Sequence, residues 1–396
     1  PILSNVGRHS EMWSQNLSNR YMVHQIEKPR EPVDAVLLIA TIILAIIGVV
    51  MVYSSTFHLG YQYLKWEVLR IIVGFVALYI GTKIRYIKFS GNTKNIILLI
   101  ALIFLLATLL LGRKVMGARR WIGIIQPAEF AKLSLIFWLA GFFAEGRGSE
   151  TRFRSQVLPP LVVTLTIVFL TIMQPAVGTS CILFATSLTM FFLGGVKFKY
   201  IAIIGAITIA GFLLLIFIFP HSRMRIKDFW SGERYQQTQS VIGIGSGRVL
   251  GKGLGEGKQK FQFLPKMATD FIFSAIGEEF GFFGTFMIFL LFLLILFQGL
   301  KIALFAEDHF GYLLASGITV MLFIYALIHI GVTLGILPPT GQPLPFVSFG
   351  GSALVTNLFA LGLVLNVSKF RIRRPSDISY NRRRHRWARF SSNRNW

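Results

Sequence analysis

Acidic residues are scarce in this chain. Only 17 Asp and Glu stand against 40 Lys and Arg, and charged residues make up 14% of the 396 positions. Soluble globular proteins carry about 25% charged residues, so a chain with this little charge and 54% hydrophobic residues is expected to be solvated mostly by lipid. Cysteine is nearly missing. Cys181 stands alone in an apolar run, which excludes an intramolecular disulfide and reads as a small buried residue. No His/Cys pair has zinc-like spacing, and no Ser/His/Asp set is evident. The glycine-rich runs 243–247 and 251–255 lack the Gly-Lys-Ser/Thr ending of a phosphate-binding loop, so they support no nucleotide site.

The formal charge of +23 suggests nucleic acid at first sight. However, 10 of the 40 basic residues fall in the last 28 positions, in a tail that includes Arg382-Arg383-Arg384-His385-Arg386 just after an apolar run. Such a tail reads as a cytoplasmic, lipid-facing anchor, and no nucleic-acid partner is expected. The segment from Pro1 to Glu31 is polar and mixed in charge, without the apolar core of a signal peptide.

What the chain does have is apolar runs near the roughly 20 residues that a membrane span needs. Ten are expected, at 33–53, 66–82, 95–112, 127–144, 157–173, 178–195, 199–219, 270–300, 310–337 and 350–368. The fold class is therefore an all-α membrane protein, a polytopic bundle of about ten transmembrane helices with both termini cytoplasmic. Residues 1–32 form a cytoplasmic segment, 33–368 the bundle and 369–396 the basic tail. Gln174-Pro175 and Gly194-Gly195-Val196-Lys197 divide the nearly unbroken stretch 157–219, and the polar stretch 220–269 is the one long connection. Basic residues gather in the loops assigned inside, while the outer loops 54–64, 174–177 and 338–349 have none. Two outer loops depart from this rule, 113–126 with four basic residues and 220–269 with nine. An anionic ligand on the outer face is the simplest reason for them.

Three constellations lie at the outer helix ends. In the first, Arg119-Arg120-Trp121 precede Pro127, which suits a first helical turn, and Glu129 and Lys132 follow at i and i+3 on one face. Two readings stand: a structural ion pair for helix four, or a site in which Arg119 and Arg120 donate to a diphosphate with Trp121 as interfacial anchor. In the second, Lys266 precedes Asp270 at the head of span eight, with Glu278 about 12 Å farther along the same face. Asp270 either complements the helix dipole or acts as a general base, and with Glu129 it could hold a divalent cation. In the third, four prolines between Leu337 and Pro345 forbid a continuous helix, so an irregular or re-entrant segment leads to Ser348 and Ser352. These serines either cap the last helix or offer hydroxyls to an anion. His329, inside span nine, reads as a hydrogen-bonded packing residue.

Together these blocks closely resemble the SEDS family of bacterial cell-wall proteins, from about Val49 to Lys369. The matching motifs are Gly117-Ala118-Arg119-Arg120-Trp121, the run from Gln126 to Leu133, Thr269-Asp270-Phe271-Ile272-Phe273, and the run from Pro345 to Ser352. Met51-Val52-Tyr53-Ser54-Ser55 and Gly362 to Ser368 look more like the FtsW and SpoVE branch than the RodA branch. The resemblance implies a peptidoglycan glycosyltransferase of the bacterial plasma (inner) membrane that polymerises lipid II at the extracytoplasmic face, for division or a related septal or spore wall. It implies Asp270 as the essential aspartate, Glu129 and Lys132 as the polar pair of helix four, and inversion at the anomeric carbon. Arg119, Arg120, Lys266, Ser348 and Ser352 are the expected diphosphate contacts. Asp270 and Glu129 are the expected ligands of a divalent cation, Mg²⁺ or Mn²⁺, and no organic cofactor is expected. The implied partners are a class B penicillin-binding transpeptidase and membrane proteins of the divisome or elongasome. A lipid II flippase and a non-catalytic scaffold for the transpeptidase are the alternatives. One departure stands out: Gln174-Pro175-Ala176-Val177-Gly178-Thr179 has Ala176 where the family usually has Asp.

Overall fold

The structure, a computed structural model, describes residues 32–115, 118–146, 153–218, 235–259 and 267–371. Each expected span is a helix: α1 (Ala35–Thr56), α2 (Gln62–Lys83), α3 (Asn92–Leu111), α4 (Pro127–Glu145), α5 (Leu158–Met173), α6 (Val177–Leu193) and α7 (Phe198–Ile218). A shorter helix α8 (Tyr235–Ser246) follows, and then α9 (Ile272–Leu304), α10 (His309–Thr333) and α11 (Gly351–Ser368). Six of them, α1, α3, α4, α9, α10 and α11, are long and apolar enough to cross a membrane. Helices α5 and α6 are shorter at 16 and 17 residues. Helix α2 is diluted by Lys65, Glu67 and Arg70 in its first turns. The chain is thus a multi-pass membrane protein. Because lipid offers no hydrogen bonds to a backbone, helices that satisfy their own are the natural product of these sequences.

Helices α4, α10 and α11 are mostly buried, whereas α1, α3 and α9 turn apolar side chains such as Ile39, Leu99 and Phe297 outward. Small residues let the central helices touch. A Cβ on Gly81 would stand 2.6 Å from the Phe359 carbonyl oxygen, and one on Gly362 2.3 Å from that of Leu78, so α2 and α11 meet backbone to backbone.

Asp34 caps α1 by accepting from Leu37 N at 3.1 Å. Its other oxygen accepts from Arg371, just past α11, and from Gln298 of α9, both at 2.7 Å. The chain therefore enters and leaves the bundle at one end, as an even number of spans requires. Burial pushes the Asp34 carboxyl upward, but the Arg371 guanidinium, the Leu37 amide and Gln298 outweigh it and hold the group below its usual 3.8. At the same end the Tyr86 hydroxyl donates to Asp308, which caps α10.

The opposite end holds the irregular parts. An antiparallel hairpin, β1 (Arg113–Val115) with β2 (Ala118–Trp121), joins α3 to α4 where a plain loop was expected. The stretch 220–269, expected as an open connection, contains α8 and a glycine-rich turn wrapped around α9. Helix α9 itself is not one continuous rod. Gly281, at φ 66°, interrupts it, and residues 248–253 supply the missing backbone partners. Lys252 and Gly253 N donate to the carbonyls of Glu278 and Glu279 at 3.0 Å, while Phe282 N donates to Arg248 O at 2.8 Å. A Cβ on Gly281 would stand 2.4 Å from Gly251 N. The glycines that failed to make a phosphate loop make this splice.

Candidate functional site

Pro127 opens α4, and two turns of that helix place Glu129 beside Lys132, with Nζ 2.8 Å from Oε2. Both side chains are 2% exposed. Helix α10 closes over them: Lys132 Nζ lies 4.0 Å above the Tyr325 ring, and the Tyr325 hydroxyl donates to Glu129 Oε1 at 3.4 Å. The i, i+3 pairing read from sequence is thus present as a dry ion pair capped by an aromatic ring. Neither Glu129 nor Lys132 has an exposed face, so each meets its neighbours in the bundle.

Asp270 ends a four-residue helical turn, Met267–Asp270, just ahead of α9. It is only partly buried. Its Oδ2 lies 3.7 Å from where a Cβ on Gly341 would stand, and its charge acts on the Tyr325 hydroxyl. Phe349 N donates to Ala268 O at 2.9 Å, tying this turn to the proline-rich segment. The structure therefore gathers Asp270, Tyr325 and the Glu129–Lys132 pair, from three separate parts of the chain, into one cluster.

The expected diphosphate contacts fare differently. Arg119 Nη1 donates to the carbonyls of Leu109 and Leu110 at 3.1 and 3.2 Å, capping the end of α3. Arg120 donates to Gln174 O at 3.4 Å and to Pro175 O, at the end of α5. Helix ends leave such carbonyls unmet, so these arginines have structural work. Ser348 Oγ accepts from Leu344 N at 2.8 Å within its own turn. Ser352 Oγ accepts from Gln126 N and donates to Ile124 O, both at 3.1 Å, fastening α11 to the start of α4. Of the two readings of these serines, the hydrogen bonds show the capping and fastening one. Lys266 lies outside the described residues. Glu278, read as a deeper neighbour of Asp270, is instead fully engaged with Lys252 Nζ at 2.8 Å and the amides of Lys258 and Gln259.

A metal shared by Asp270 and Glu129 does not fit. Both Glu129 oxygens face partners of their own, Lys132 and Tyr325. Among the described residues no group of three His, Cys, Asp or Glu could hold an ion.

Sequence reasoning missed Tyr325, although Tyr325, His329 and Thr333 recur at helical spacing in an otherwise apolar span. It also missed α2. Glu67 is completely buried, with an Arg70 nitrogen 4.0 Å away. The Arg70 guanidinium stacks 4.0 Å from the Phe349 ring, and its Nε would lie 3.1 Å from a Cβ on Gly351, the first residue of α11. Ala176 is buried at the start of α6 and provides no side-chain cap.

Comparison with known proteins agrees with this architecture. The family described as cell cycle protein, that of FtsW, RodA and SpoVE, matches residues 34–373. Stage V sporulation protein E of Bacillus subtilis is 36% identical over 357 residues, covering 85% of this chain and 97% of its own. The probable peptidoglycan glycosyltransferase FtsW of Geobacter metallireducens is 35% identical over 372 residues, covering 89% and 98%. Among solved structures, a chain of a peptidoglycan synthase complex superposes with a TM-score of 0.73 at 26% identity, covering 86% of this chain and 99% of that one. The rod shape determining protein RodA of Thermus thermophilus superposes with a TM-score of 0.67 at 26% identity, covering 86% and 98%. This chain belongs to the FtsW, RodA and SpoVE family of cell cycle proteins.

Proposed function

We propose that this protein is a peptidoglycan glycosyltransferase of the bacterial inner membrane that polymerises lipid II at the extracytoplasmic face. The observation that carries the reading is the placement of Asp270. It is a partly exposed carboxylate at the head of α9, set beside Gly341, in a cluster that also holds the buried, charge-balanced Glu129–Lys132 pair. The names borne by the relatives support the same chemistry. The positive-inside pattern supports the orientation, since Lys83, Arg85, Lys88, Lys197, Lys199 and Lys301 all lie toward the end where Asp34 meets Arg371.

In this mechanism the acceptor GlcNAc 4-hydroxyl attacks the anomeric carbon of the donor MurNAc. The new C–O bond forms as the bond to the lipid diphosphate breaks, and the diphosphate leaves with the electron pair. Asp270 takes the hydroxyl proton, so a single displacement inverts the α-linkage to β. Glu129 and Lys132, through Tyr325, hold the surroundings of that carboxylate. Arg70, packed against Phe349 and Gly351 at the start of α11, supplies cationic donors for the departing diphosphate, with Arg119 and Arg120 as further donors. A class B penicillin-binding transpeptidase is the proposed partner, consistent with the matching chain of a synthase complex. Divisome or elongasome membrane proteins would complete the assembly.

The test is glycan polymerisation from purified lipid II with that transpeptidase present and its cross-linking inhibited. Wild type forms polymer, and Asp270→Ala loses at least ~100-fold of the rate. An Asp270→Ala protein that polymerises normally removes the base assignment. A folded, partner-bound wild type that makes none favours the flippase or scaffold reading.

A further inference from the structure

His329 lies on α10 one helical turn beyond Tyr325, on the same face, and is 1% exposed. Its Nδ1 is 2.8 Å from the main-chain oxygen of Gln342. A carbonyl oxygen only accepts, so the ring carries its hydrogen on Nδ1 and donates it. Nε2 is left a bare acceptor, buried and without a donor among the described residues. A buried nitrogen left in that condition requires an explanation, because a packing role alone would be met better by an apolar side chain.

The explanation is what the other nitrogen holds. The Gln342 side chain donates to Thr179 Oγ1 of α6 at 3.1 Å, and the side chains of Thr340 and Gln342 both press on Gly178. Residues 340–342 are therefore gripped from α6 on one side and from His329 of α10 on the other. Between those two grips sits Gly341, at φ 66°, with its Cα turned toward the Asp270 carboxylate. The wall against which Asp270 rests has no hydrogen-bonded strand behind it; it is irregular backbone fixed by these contacts.

We infer that His329 is a positioning residue for the glycosyltransferase reaction. By donating to the Gln342 carbonyl, it fixes residues 340–342 and so sets the aim of the Asp270 carboxylate. The inference rests on the proposed role of Asp270 as base. Small displacements of a reacting group can cost on the order of 100-fold in rate, so the effect belongs in kcat and not in substrate affinity.

The experiment compares His329→Leu, His329→Asn, Thr179→Val and Asp270→Ala in the lipid II assay with the transpeptidase partner. Each is measured for kcat, KM and the pH dependence of kcat, with thermal melting in detergent as the control for folding. Leu keeps the bulk and removes the donor. Asn places an amide nitrogen where Nδ1 stands and drops the orphan Nε2. The expected result is a kcat ~10- to 100-fold lower for His329→Leu, an unchanged KM, a displaced acid limb of the pH profile, and rescue in His329→Asn. Thr179→Val loosens the same segment from the other side and displaces the same limb, a readout that stands even where His329→Leu fails to fold. Wild-type kcat and pH profile in His329→Leu overturn the inference, as does an Asn variant no better than the Leu one. A Thr179→Val profile identical to wild type likewise overturns it. Loss of activity in Asp270→Ala with none in His329→Leu removes this inference alone, whereas an active Asp270→Ala removes both it and the base assignment.

Discussion

Replacing Lys132 with Met leaves Glu129 without its counter-charge in a site that water does not reach. The two groups are 2.8 Å apart and 2% exposed, so their attraction is about 6 kcal/mol at an effective dielectric constant near 20. Bringing both out of water offsets most of that, but removing one partner leaves the other's desolvation unmet. A destabilisation of about 3–5 kcal/mol is expected for the single change. The double change Lys132→Met with Glu129→Gln should be near neutral by comparison, because the amide keeps the hydrogen bond from Tyr325 and no charge remains. The assay is reversible unfolding in mixed micelles, read as a double-mutant cycle across the four proteins. A Lys132→Met cost under about 1 kcal/mol, in the range of exposed pairs, would refute the description of a dry pair. A double variant as damaged as the single would refute it equally.

Three further outcomes follow from the geometry. Asp34 has a carboxyl held below its usual 3.8 in the folded protein, so its contribution is present above that value and is lost as pH falls through the lower folded one. Arg371→Gln should flatten this acid-side change in melting temperature while also lowering stability at neutral pH. Ala176→Asp places a capping carboxylate at the start of α6, beside the Arg120 contacts to Gln174 and Pro175, and should stabilise by about 0.5–2 kcal/mol in thermal melting. Gly281→Ala puts a Cβ 2.4 Å from Gly251 N at a φ of 66° and should cost about 1–3 kcal/mol, seen as faster proteolysis of the 247–259 turn.

The ten helices were legible because each carries its own apolar run, a property of consecutive residues. The Glu129–Lys132 pair was legible for the same reason, since i and i+3 spacing is local. Arg119 and Arg120 were not, because the carbonyls they cap belong to α3 and to the end of α5, and the latter is 54 residues away for Arg120. The interruption at Gly281 was hidden because its flanks, Glu278 to Phe283, read as continuous helix until the 248–253 backbone arrives to pair with it. Tyr325 and His329 left a faint trace in their helical spacing, but their partners, Glu129 and Gln342, lie on other segments. Asp270 was placed correctly at the head of its helix, while the meaning of that place depends on Gly341, which only the folded chain brings near.

The bond between Asp34 and Arg371 also bears on how the protein is made. Ribosomes deliver α1 before α11, so Asp34 waits for an anchor synthesised 337 residues later. Until then Asp34 has only its own amide cap to hold it, and Gln298 of α9 comes late as well. The closing of this end therefore waits on α9 and α11: a chain lacking α11 keeps the Leu37 cap on Asp34 but lacks the Arg371 latch.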